Sequence, residues 1–188
     1  MAKGAQAGNR LAKSGRAWED LLKPAIARVP GLYLGHFGAP CRIIGSGATP
    51  RGQRAPLVVF EGPGPLDYCG HYRGQHCEID CKRMTGDGVS WRWASAMAPD
   101  QVLRCGQLLA GGCLVGIVLL HDASGRCYGL PWTVVDGYRK VGRMSIKLSD
   151  LDVSVVFGEV ADLRPADGPI DLRGFIALLA NIAEERRG

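Results

Sequence analysis

At 188 residues, 46% hydrophobic and 22% charged, the chain is long enough to fold as one domain with its own core, and its composition is that of a soluble globular protein rather than a disordered or fibrous one. No apolar run approaches the length of a bilayer span and the N-terminus lacks a secretory-type apolar stretch, so a cytoplasmic protein without membrane association is expected. The seven cysteines are odd in number and form no paired C-x-x-C units, which disfavours a disulfide framework and a structural zinc site.

The net charge of +5 is unevenly spread: residues 1–56 carry nine Lys and Arg against Glu19 and Asp20, and the remainder carries 14 bases and 16 acids. A basic half beside a cluster of carboxylates suits a protein that grips a polyanion. Residues 1–10 read as a flexible basic arm, and residues 11–188 as a single domain. Arg10, Lys13 and Arg16 are the early cations placed to meet a phosphate backbone. From Ser14, a helix N-cap, to Val29 the apolar residues Trp18, Leu21, Leu22, Ala25 and Ile26 recur at helical spacing, with Pro24 predicting a kink or two short helices. Residues 31–37 read as a loop leading into a first strand at Cys41–Ile44. Residues 45–56, rich in Gly, Ser and Pro, predict a basic flexible loop or hairpin tip carrying Arg51 and Arg54, followed by a second strand at Leu57–Phe60.

Residues 65–83 hold the chemistry. An extended segment carries Asp67, Gly74 marks a turn, and a second strand places Glu78, Asp80 and Lys82 on one face with Cys77, Ile79 and Cys81 on the other. Later apolar segments are able to cover this strand, so its charges face a cleft. Carboxylates crowded in a cleft repel one another, and a hard divalent cation held through oxygen relieves them. A lysine two residues on from a ligand is placed to orient a water and stabilise charge developing on a phosphate. Cys69, His71, His76, Cys77 and Cys81 also crowd together, but alternation speaks against a zinc site there, because it turns Cys77 and Cys81 away from Glu78 and Asp80 and into the core. Arg83 ends the strand as a further cation for a polyanion.

Past a turn-rich loop at residues 83–88, Pro99 and Asp100 predict a helix start and Gly111-Gly112 its stop. Cys113–Leu120 is a continuous apolar run that reads as a central strand covered on both faces. Residues 121–125 predict a turn, 126–132 a strand and its exit, 137–147 a basic segment, and Asp171–Ile182 a closing helix. His121 and Asp122, at the end of a strand, are read as structural.

Asp67, then a turn, then Asp80-Cys81-Lys82 resembles the motif of the PD-(D/E)xK nuclease superfamily. The wider stretch Leu66-Asp67-Tyr68-Cys69-Gly70-His71-Tyr72-Arg73-Gly74, with Glu78-Ile79-Asp80-Cys81-Lys82 after it, resembles the RecU family of Holliday-junction resolvases. Further likenesses fall in the same order along the chain: Asn9-Arg10 with Trp18-Glu19, Ala48-Thr49-Pro50, Gln101, Tyr128-Gly129-Leu130-Pro131 and Ser145-Ile146-Lys147. The resemblance implies an α/β, restriction-endonuclease-like fold with a mixed central sheet flanked by helices and an active site at the sheet's edge. It implies a homodimer that cuts branched DNA, a four-way junction, with Mg²⁺ or, in substitution, Mn²⁺. Asp67 and Asp80 would bind the metal with Glu19 or Glu78 assisting, Lys82 would position the attacking water, and Gln101 would orient it or the lysine. Arg51 and Arg54 would sit at the tip of a stalk entering the junction. Two departures stand out. Asp80 replaces the family's glutamate, and only 16 residues separate Pro50 from Asp67, a short stalk that leaves open a flap, end or duplex nuclease of the same superfamily. A non-catalytic DNA-binding module and a zinc-binding interaction domain are the readings from other classes.

Overall fold

The computed structural model describes residues 21–36, 41–48, 54–60, 66–85, 88–152, 157–163 and 169–187. The N-terminal arm, Ser14, Trp18, Glu19, Arg10, Lys13, Arg16 and the loop tip with Arg51 lie outside the described residues. Helix α1 (residues 21–27) runs through Pro24 without a break. Strand β1 (Leu32–His36) follows, then β2 (Cys41–Ala48), β3 (Arg54–Phe60), β4 (Tyr68–Tyr72), β5 (Gln75–Met84) and β6 (Ser90–Trp91). The rest is α2 (Trp93–Ala96), α3 (Pro99–Ala110), β7 (Leu114–His121), β8 (Cys127–Pro131), α4 (Trp132–Lys140), β9 (Ile146–Lys147), α5 (Leu148–Asp152), β10 (Ala161–Asp162) and α6 (Arg173–Glu185).

The protein is α/β. Six strands form one mixed sheet in the order β1-β4-β5-β7-β8-β10. β1, β4 and β5 are successive antiparallel neighbours. β7 pairs parallel to β5 after the α3 crossover, and β8 and β10 continue antiparallel. The β4–β5 turn is two residues long, with Arg73 and Gly74 both at positive φ (50° and 84°), the backbone that matches the twist of a tight hairpin and that glycine adopts without strain.

The sheet separates two apolar clusters. On one face, α1 and α6 bury Leu22, Ala25, Phe175, Ile176 and Leu179 against Cys77, Ile79, Leu114 and Val118. On the other, α2 to α5 bury Trp93, Cys105, Leu109, Trp132 and Tyr138 against Val115, Ile117 and Leu119. β7 therefore feeds both clusters from alternate residues, as the continuous apolar run predicts. Phe175 of α6 packs close to the sheet where Gly129 offers no side chain: a Cβ on Gly129 would sit 2.6 Å from the Phe175 ring.

Two further expectations change. Leu32–Gly35, read as loop, is strand β1, paired in register with β4 from Leu32 opposite Tyr72 to His36 opposite Tyr68. The Gly/Ser/Pro-rich stretch is strand for most of its length: β2 and β3 form their own two-stranded sheet, reaching Ala48 opposite Arg54. The acidic strand β5 lies inside the sheet, between β4 and β7. Among the described residues no helix is long and apolar enough to cross a membrane.

Candidate active site

The hairpin turn sets the site. With Tyr72 opposite Gln75 and Tyr68 opposite Ile79, each step back along β4 is a step forward along β5, so Asp67 falls opposite Asp80, one residue past the last pair. Beyond Tyr68 the chain no longer pairs with β5, and the Asp67 side chain takes the place of the missing strand: its Oδ2 accepts the Cys81 N–H at 2.9 Å. Both aspartates therefore come from backbone positions fixed by the sheet.

Glu78 and Asp80 are completely buried, on the face covered by α3. The helix returns antiparallel to β5, so Gln101 stands over Asp80 and Arg104, one turn on, over Glu78. Gln101 Oε1 accepts the Ala98 N–H at 3.1 Å, one half of a helix-start capping box. The same oxygen accepts Lys82 Nζ at 3.3 Å, while Gln101 Nε2 donates to Asp80 Oδ1 at 3.4 Å. Lys82, 16% exposed, lies 2.7 Å from Asp80 Oδ2. That oxygen receives no well-directed hydrogen bond despite its burial, so the close ammonium is its counter-charge.

Burial is the main cause that lifts the Asp80 pKa from 3.8 to about 7; the Lys82 ammonium pulls it down and the neighbouring Asp67 pushes it up. A carboxyl poised near neutrality, beside a second carboxylate and a lysine, is a functional-site signature.

Glu78 belongs to a different group. Arg104 Nε donates to Glu78 Oε2 at 2.7 Å, and Arg104 Nη2 contacts Oε1. The Leu66 N–H reaches Oε2 at 3.1 Å, His76 Nε2 lies 2.9 Å from Oε1, and the Cys69 thiol lies 3.7 Å from it. Burial raises the Glu78 pKa, but the bonds from Arg104, His76 and Leu66 outweigh it and hold the carboxyl below its usual range. The acid-rich strand thus splits into a bidentate ion pair at Glu78 and a converging group at Asp67, Asp80, Lys82 and Gln101.

Of the other predicted residues, Arg83 points away from this group and pairs with Asp122 at 2.6 Å. Arg54 opens β3, but its side chain, like Glu19, Arg10, Lys13, Arg16 and Arg51, is outside what is described. His121 ends β7 with Nδ1 2.8 Å from Ser124 Oγ. Arg104 is the residue the sequence reading missed; its signal was the i, i+3 spacing from Gln101, which gives both one helix face.

No protein-family model matches this chain, and no curated protein matches it.

Proposed function

We propose that the protein is a metal-dependent endonuclease that hydrolyses DNA phosphodiesters, with a four-way junction as its substrate. The observation that carries this reading is the convergence of Asp67, Asp80, Lys82 and Gln101. The donors offered by the two aspartates are all oxygen, the choice of Mg²⁺ or Mn²⁺, and the buried Asp80 Oδ2 without a directed hydrogen bond is an acceptor suited to a cation. The residues present fit such an ion. When bound, it makes a water more acidic and offsets charge on the scissile phosphate.

The chain's own residues supply the rest. Asp67 and Asp80 would hold the cation from the open end of the β4–β5 hairpin. Lys82 orients the attacking water and faces the charge that develops on the phosphate as the water oxygen bonds to phosphorus and the ester oxygen leaves. Gln101, anchored on the Ala98 N–H, keeps the lysine head over Asp80. Glu78, occupied by Arg104, is not needed as a ligand in this scheme, which leaves Glu19, outside the described residues, as the further acid.

The order of elements supports a restriction-endonuclease-like arrangement related to RecU: an antiparallel β1-β4-β5 unit, a crossover helix, and a parallel strand beside the acidic one. The separate β2–β3 ribbon suits a short stalk. A cytoplasmic homodimer with two sites suits a two-fold junction. The short ribbon also favours, as a second reading, a nuclease of flaps, ends or duplex. Parallel digestion of labelled four-way junction, flap and linear duplex with Mg²⁺ tests both: paired symmetric nicks confined to the junction support resolution, cuts on the flap or duplex support the second reading, and intact DNA in all three rejects the nuclease.

A further inference from the structure

We propose that Cys69, His76 and Glu78 form a second metal site, for a borderline-soft divalent cation such as Zn²⁺, distinct from the oxygen-only pair of Asp67 and Asp80. The hairpin register builds it. Cys69 is paired with Glu78 and His71 with His76, so all four side chains stand on one face in a two-by-two array. The Cys69 Sγ, His76 Nε2 and a Glu78 carboxylate oxygen lie within 4.8 Å of one another, with Sγ 3.7 Å and Nε2 2.9 Å from Oε1. A tetrahedral ion with bonds of about 2.0–2.3 Å holds its ligand atoms roughly 3.3–3.8 Å apart, so the donors reach that geometry by small side-chain shifts.

Sulfur, imidazole nitrogen and carboxylate oxygen together select zinc-like ions and not Mg²⁺. Glu78 is already oriented for the role: Oε2 is fixed by Arg104 Nε at 2.7 Å and by the Leu66 N–H at 3.1 Å, the kind of outer partner that aims a ligating carboxylate. Oε1 is left toward Cys69 and His76, and Arg104 Nη2 gives up its contact there. On binding, the Cys69 S–H proton passes to solvent as the metal–sulfur bond forms, with no change of oxidation state. His76 is 41% exposed, so an ion has a path in and a fourth position open to water. His71, opposite His76 and now stacked on Tyr33 at 5.0 Å, is placed to fill that position by turning away from the tyrosine.

The test is an anaerobic Co²⁺ titration of the reduced, metal-stripped full chain, read by the near-ultraviolet thiolate-to-cobalt charge-transfer band. The band should saturate at one equivalent and be displaced by Zn²⁺. It should vanish in Cys69→Ser, and His76→Gln should weaken binding by more than the roughly 10–100-fold that loss of an outer partner costs. Asp80→Asn, which removes the hard site, should keep it, so this result stands apart from that of the nuclease assay. A wild-type chain without the band, or a band that survives Cys69→Ser, overturns the proposal. Circular dichroism checks the fold of each variant, and His76→Gln, at an exposed side chain, decides the matter should Cys69→Ser not fold: unchanged Co²⁺ affinity in it overturns the site.

Discussion

Between pH 5 and pH 8 the metal-free protein should lose roughly 2–3 kcal/mol of folding stability through Asp80 alone. In an unfolded chain this carboxyl ionises near 3.8, whereas burial, reinforced by Asp67 and opposed by Lys82, lifts it to about 7 in the fold. Between those values the folded state holds a proton that the unfolded state has released. The stabilisation is therefore complete below about pH 4 and is lost as the pH rises through about 7. Glu78 and Asp136, whose pKa values are depressed by their cationic partners, act in the opposite sense but below the usual carboxylate range, outside this window. Urea unfolding of wild type and Asp80→Asn in EDTA at both pH values isolates the contribution. Asp80→Asn should be nearly flat over the interval, because the interactions of an uncharged amide do not titrate there. Mg²⁺ at about 100 times its dissociation constant should restore roughly 2.7 kcal/mol to wild type at pH 8 and nothing comparable to the variant. A wild-type midpoint that does not fall between pH 5 and 8, or an Asp80→Asn midpoint that falls equally, refutes the reasoning.

Arg104→Ala should destabilise the protein by about 2–4 kcal/mol in thermal or urea unfolding, because it strands the fully buried Glu78 without its main counter-charge; the cost should shrink in the Arg104→Ala/Glu78→Gln double variant. Gly129→Ala should cost roughly 1–3 kcal/mol by overpacking against Phe175, and adding Phe175→Leu should recover part of it. Gln101→Ala should lower the cleavage rate more than it lowers Mg²⁺ affinity by calorimetry, since the glutamine holds Lys82 and is no ligand of the cation; a loss confined to Mg²⁺ affinity would contradict that role.

Much of the site was legible because it depends on short-range geometry. A glycine turn at residues 73–74 forces Asp67 opposite Asp80, and strand alternation then fixes which face Lys82 and Glu78 share. Helix α3 was legible from Pro99 and the Gly111-Gly112 stop, and β7 from its unbroken apolar run. β1 was not: it is short, contains Gly35 and shows a mixed burial pattern, and its strand character comes from pairing with β4, a contact distant in sequence. Helix α4 was hidden by Pro131, which read as a strand exit and in fact stands at the helix N-cap, and by Gly137 within it. The Glu78–Arg104 ion pair joins residues 26 positions apart. No local pattern in β5 announces that Glu78 meets an arginine on the covering helix.

Cleavage of an end-labelled four-way junction with and without Mg²⁺, by wild type, Asp80→Asn and Lys82→Ala side by side, bears most directly on the central assignment. The account predicts Mg²⁺-dependent nicks by wild type and a loss of at least about 100-fold in rate for each variant. Cleavage that proceeds unchanged in both variants, or a wild-type protein that leaves the junction intact, would contradict it.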